Sequence, residues 1–97
     1  MRGNYMMMSW ELEKVKSLLV KGINDLASGY EVIDFTREDV NAYNLRKGLE
    51  ALGYNWEDSE DNHYAFYWYF SNEDYHICIE ADVYSFSLKM FFVEEEV

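Results

Sequence analysis

His63-Tyr64-Ala65-Phe66-Tyr67-Trp68-Tyr69-Phe70-Ser71-Asn72-Glu73-Asp74-Tyr75-His76-Ile77-Cys78-Ile79-Glu80-Ala81-Asp82 is the stretch that decides the fold. An aromatic run, a polar break and a strictly alternating run predict two antiparallel strands joined by a turn. Closing the turn over residues 71–74 pairs Phe70 with Tyr75. Tyr64, Phe66, Trp68 and Phe70 then share one face with Tyr75, Ile77, Ile79 and Ala81. His63, Ala65, Tyr67 and Tyr69 share the other with His76, Cys78, Glu80 and Asp82. A one-residue slip would bury His76 and Glu80 without partners, so the choice of faces is well determined. Residues 84–93 alternate again and predict a third strand. Its Tyr84, Phe86, Leu88, Met90 and Phe92 extend the apolar face. Its Ser85, Ser87, Lys89, Phe91 and Val93 extend the outer one. Trp68 and Phe86 are expected as core residues.

Upstream of this hairpin the apolar period changes from 2 to 3.6. Leu12, Val15, Leu19, Ile23 and Leu26 predict a helix over 10–28, with Ser9 as N-cap and Gly29 closing it. Ala42, Leu45, Leu49 and Leu52 predict a second helix over 37–52, with Thr36 as N-cap and Gly53 at its end. Between them, residues 30–35 are short and β-prone; they either add an edge strand or only connect the helices. Residues 55–62, with four acids among positions 57–61, read as a loop. Residues 1–8 read as a frayed lead-in, with Met6 to Met8 as alternative starts. The expected fold is α+β, a single domain over 1–97. Two N-terminal helices pack on one face of a C-terminal three-stranded antiparallel meander.

Charge divides the chain. Residues 1–47 carry seven acids and seven bases, whereas residues 48–97 carry twelve acids and one base, Lys89. The net charge of −11 therefore belongs to the second half, which also holds 13 of the 18 aromatic residues. A chain that is 49% apolar is too hydrophobic to be a disordered acidic tail. An acidic surface repels nucleic acid and anionic lipid, which argues against direct DNA or RNA binding and against a membrane surface. No run of 18 apolar residues is present, and one cysteine cannot form an internal disulfide; a cytoplasmic protein is expected, in the host cytoplasm if it is phage-encoded.

Chemistry-bearing motifs are weak. His76, Cys78, Glu80 and Asp82 fall on one strand face, with His63 opposite Asp82. Residues two apart on a strand stand roughly 6.6–6.8 Å apart, too far for neighbours to share one zinc ion. Glu80 and Asp82 would raise the Cys78 thiol pKa, the reverse of what a nucleophile needs. Glu57 to Asn62 lacks the spaced ligands and central glycine of a calcium loop. Arg37, Arg46 and Lys47 alternate with Glu38, Asp39 and Glu50, so they predict a salt-bridged helix rather than a basic face. No enzyme, cofactor or metal is expected.

What remains is a surface. Glu57, Asp58, Glu60 and Asp61 of the acidic segment, Glu73 and Asp74 of the turn, and Glu80 and Asp82 of the strand surround Tyr67 and Tyr69. Carboxylates can stand in for phosphates before Arg and Lys, and exposed aromatics can supply a desolvated anchor. The pattern predicts a small inhibitor that occupies the basic, nucleic-acid-binding surface of a partner such as a nuclease. Two settings fit: a phage DNA mimic of anti-CRISPR or anti-restriction type, and a toxin-immunity protein. The alternatives are a structural or homo-oligomeric accessory domain, in which a homodimer or the arm at residues 5–8 covers the tyrosines, and an enzyme or metal-binding domain.

Overall fold

Pairing of backbone N–H and C=O groups carries the sheet beyond three strands. The computed structural model describes residues 7–94, as α1 (Ser9–Ala27), β1 (Ile33–Asp34), α2 (Ala42–Ala51), β2 (Asn55–Asp61), β3 (Ala65–Ser71), β4 (His76–Asp82) and β5 (Leu88–Phe92). The strands form one antiparallel sheet in the order β1-β5-β4-β3-β2. The α+β class and the β3–β4–β5 meander agree with the sequence reading; the strand count does not. Residues 1–6 and 95–97 lie outside the described residues, including most of the lead-in and the first of the alternative starts.

The two additional strands have different origins. Of the β-prone segment 30–35, two residues pair with β5, Ile33 with Met90 and Asp34 with Lys89. The acidic segment read as a loop is β2, an edge strand paired along β3. Its Asn, Glu, Asp and Ser residues are poor strand formers, so the hydrogen bonds and the packing of Trp56 decide its conformation. Trp56 lies 6.3 Å from Trp68, ring centre to ring centre, and the Arg46 guanidinium sits 4.1 Å over its ring. The charges also keep this exposed edge from pairing with other chains.

The three connections that join β2, β3, β4 and β5 use one device. Asn62 Oδ1 accepts the N–H groups of Tyr64 and Ala65; Asn72 Oδ1 accepts those of Asp74 and Tyr75; Asp82 Oδ1 accepts those of Tyr84 and Ser85. A side-chain acceptor two and three residues upstream satisfies donors that the ladder has released. This moves two expected boundaries. The β3–β4 register is offset by two residues from the expected pairing, Phe70 facing Ile77 and Ala65 facing Asp82, while the paired residues of β3 and β4 keep their faces; His63, Tyr64 and Tyr75 fall outside the ladder. The third strand is shorter than expected, because Asp82 holds residues 83–87 in a loop. Tyr84 and Phe86, expected in the core, are 68% and 82% exposed, and Phe86 has φ +57°. Tyr64 is exposed beside Tyr84, with ring centres 5.5 Å apart. A bulky L residue in the left-handed region costs roughly 1–2 kcal/mol.

The helices start one residue earlier and five residues later than expected. Met8, not Ser9, is the N-cap of α1, its N–H donating to Glu11 Oε1 at 3.0 Å. Asn41, not Thr36, caps α2: Asn44 N–H donates to Asn41 Oδ1, and Asn41 N–H to Asn44 Oδ1. Thr36 is occupied elsewhere, its hydroxyl accepting Leu88 N–H at 3.0 Å and its N–H donating to Asp34 Oδ1. Arg46 and Lys47 both pair with Glu50, as the charge pattern predicts.

Both helices pack on one face. Val15, Leu19, Ile23 and Leu26 of α1 and Ala42, Leu45 and Leu49 of α2 meet Phe70, Ile77, Ile79, Leu88 and Met90 of the sheet in one buried cluster. Phe66 and Trp68 flank it half-buried. The helices approach closely at Gly48: a Cβ there would stand 2.6 Å from Leu19 Cδ1 and 2.7 Å from Val15 Cγ1. Gly48→Ala should therefore lower stability by about 1–2 kcal/mol, overpacking outweighing a helix-propensity gain of about 1. A thermal melt unchanged or raised by this substitution would contradict that contact.

Candidate protein-binding face

With both helices on one side, the opposite side of the sheet has no helix over it. The pairing register places the face residues in rows. One row runs Glu60, Tyr67, Glu80, Lys89, Asp34 across all five strands. The next runs Asp58, Tyr69, Cys78, Phe91. Neighbouring strands lie about 4.8 Å apart and same-face neighbours along a strand about 6.6–6.8 Å apart, so these carboxylates share one continuous surface.

A single irregularity selects which acids belong to it. Trp56 pairs with Phe70, but Asp58 pairs with Tyr69, so Glu57 is an extra residue in β2. Such a bulge reverses the alternation. Trp56 stays on the helix side, and Asp58 and Glu60 reach the open side. Without the bulge those two would face the helices. Glu57 Oε2 accepts a hydrogen bond from Ser71 Oγ at 2.7 Å.

The structure thus brings together Glu57, Asp58, Glu60, Tyr67, Tyr69 and Glu80. It separates the other expected site residues. Asp61 pairs with Phe66 and falls on the helix side. Glu73 and Asp74 are exposed in the turn at the Asn55 end of β2. Asp82 lies at the other end of β4, and its carboxylate is engaged by the Tyr84 and Ser85 N–H groups, which hold its pKa below the usual carboxylate value. The charge is lopsided across the face. Lys89 sits between Glu80 and Asp34, whereas β2 and β3 carry no Lys or Arg.

The tyrosines are half-buried rather than fully exposed. Tyr69 Oη donates to Glu60 Oε1 at 2.7 Å, which raises the phenol pKa and holds that carboxylate at the hydroxyl end of the ring. Cys78, expected on the outer face, is on it by register yet 0% exposed. Its row partners Tyr69 and Phe91 are large enough to cover so small a side chain. Burial first, and the charges of Glu80 and Glu60 second, push its thiol up to about 12 from 9.0, against a hydrogen bond with Tyr69 that lowers it. Among the described residues no group of three or more His, Cys, Asp or Glu is placed to hold a metal ion. Met7, the described part of the arm at residues 5–8 apart from Met8, packs on the helix-side core and not on Tyr67 or Tyr69.

The thiol supplies a test. A raised folded-state pKa means the native protein holds this proton more tightly than the unfolded chain does. Its contribution to stability is complete below the unfolded value near 9 and is lost as pH rises toward about 12. Cys78→Ala should flatten the fall in stability across that alkaline window. Iodoacetamide should modify the native thiol slowly at pH 8 and the denatured chain readily; equal rates would contradict its burial.

No helix among the described residues is long and apolar enough to cross a membrane. Comparison with family models, with curated proteins and with solved structures finds no match to this chain.

Proposed function

We propose that this protein binds the basic, nucleic-acid-binding surface of a protein partner and inhibits it by occupying the place of the phosphates. One observation carries the reading: the bulged edge strand puts Asp58 and Glu60 on the same open face as Glu80, Tyr67 and Tyr69. Acids that would otherwise be dispersed on a loop form a rigid anionic band, and rigidity lowers the entropic cost of binding. The band accepts hydrogen bonds from Arg and Lys as phosphate does. Tyr67, at the centre of the Glu60 to Lys89 row, is the anchor at its middle. Tyr69 serves by holding Glu60 in place.

The net charge of −11 favours encounter with a basic surface and disfavours self-association through the same face. A phage DNA mimic and a toxin-immunity protein both use this chemistry, against different nucleases. The test is a pull-down from the native host with the tagged full chain at two salt concentrations, read by mass spectrometry. Nucleic-acid-binding proteins retained at low salt and released at high salt are the expected result. A partner without a basic surface, or a stable homodimer with no partner, would overturn the reading in favour of an accessory domain.

A further inference from the structure

A second surface lies at the far end of the sheet, on the helix side. The loop after β4 leaves an apolar groove of about 310 Å³ lined by Val40, Phe66, Ala81, Val83, Phe86 and Leu88. Phe86 stands over it 82% exposed, in a backbone conformation that a phenylalanine rarely adopts. Neither its exposure nor its φ contributes to the core. An aromatic ring kept in water by an unfavourable backbone marks a site for something outside the fold.

Charge identifies the occupant. Asp82 lines the groove, Asp61 borders Phe66 and Val83, and Glu38 and Asp39 precede Val40, with Arg37 the base in the adjoining turn. A second copy of the chain would bring like charges together here, and nucleic acid and anionic lipid are repelled. We propose that this groove docks a protein segment that presents an apolar side chain flanked by Lys or Arg, with Phe86 closing over the apolar side chain and the acids meeting the bases. This groove and the acidic band lie on opposite sides of the sheet, so either site can fail alone.

The test is a nitrogen-15 NMR titration of the full chain with the peptide acetyl-Lys-Arg-Leu-Trp-Arg-Lys-amide. Shifts concentrated at residues 81–88 are expected. Phe86→Asn, which suits the left-handed backbone and should leave the melting temperature unchanged or raised, should weaken binding about tenfold. Replacing Leu-Trp of the peptide by Ala-Ala should weaken it similarly, and replacing its bases by Glu should abolish it. Reversing Glu57, Asp58 and Glu60 to Lys should leave the shifts at 81–88 in place. If the Ala-Ala peptide binds equally, or the shifts fall on β2 and β3 and spare the groove, the proposal is overturned. A dimer of the wild-type chain that Phe86→Asn dissolves would assign the groove to a second copy instead.

Discussion

Replacing Phe70 by Ala should lower stability by about 3–5 kcal/mol, a large part of what a domain of this size possesses. Phe70 is 1% exposed and is the largest of the fully buried side chains. It sits between Trp56 on the edge strand and Ile77 on β4, so it joins the acidic strand to the core. Losing the ring leaves a cavity and also weakens the seat of Trp56. Denaturant unfolding should show the midpoint falling sharply, with the hydrogen-exchange protection of β2 falling first. Phe86, which alternation alone ranks beside Phe70, should show no such loss, because its ring touches water. A Phe70 variant with near-native stability would mean that the core is organised differently from this description.

The second large effect is on binding. Reversing Glu57, Asp58 and Glu60 to Lys changes the face by six charge units and should slow association with a basic partner by roughly 10–100-fold at low salt. The difference should shrink as salt rises, since attraction of this kind is screened over about 8 Å at physiological ionic strength. Dissociation should respond instead to Tyr67→Ala, by about 1–2 kcal/mol, because the ring and not the field holds the formed contact. All three acids are exposed, so the reversed protein should fold, with a melting temperature lowered only by the loss of the Tyr69–Glu60 and Ser71–Glu57 hydrogen bonds. A partner whose association rate ignores the reversal would assign the charge to solubility.

How much of this was legible before the structure follows from what each segment's conformation depends on. The two amphipathic helices and the faces of β3 and β4 rest on local periodicity, and periodicity is visible in the chain. The faces of the paired residues of β3 and β4 follow from alternation even though the register is offset by two, since parity survives an even shift. The acidic strand was not legible, because its own residues disfavour a strand and only the neighbour's hydrogen bonds and Trp56 hold it. Even so, Trp56 among the acids was a signal that the segment is anchored. Asn62, Asn72 and Asp82, ten residues apart, were the other available signal. Read as side-chain acceptors opening turns, they would have marked both the hairpin before Ala65 and the end of β4. Strand alternation alone makes Asp82 a surface acid and Tyr84 and Phe86 core residues. The residue types of the candidate site are visible in the chain, but their arrangement is not. One bulge at Glu57 decides that Asp58 and Glu60 join Tyr67 and Glu80 while Asp61 does not.

Competition with nucleic acid tests the central claim most directly. A partner captured by the tagged chain is purified, loaded with a labelled oligonucleotide and titrated with this protein while fluorescence anisotropy is followed. Full release of the oligonucleotide by the wild-type chain is expected, and markedly less by the variant with Glu57, Asp58 and Glu60 reversed to Lys. A ternary complex in which the partner holds both the oligonucleotide and this chain at undiminished affinity would contradict it.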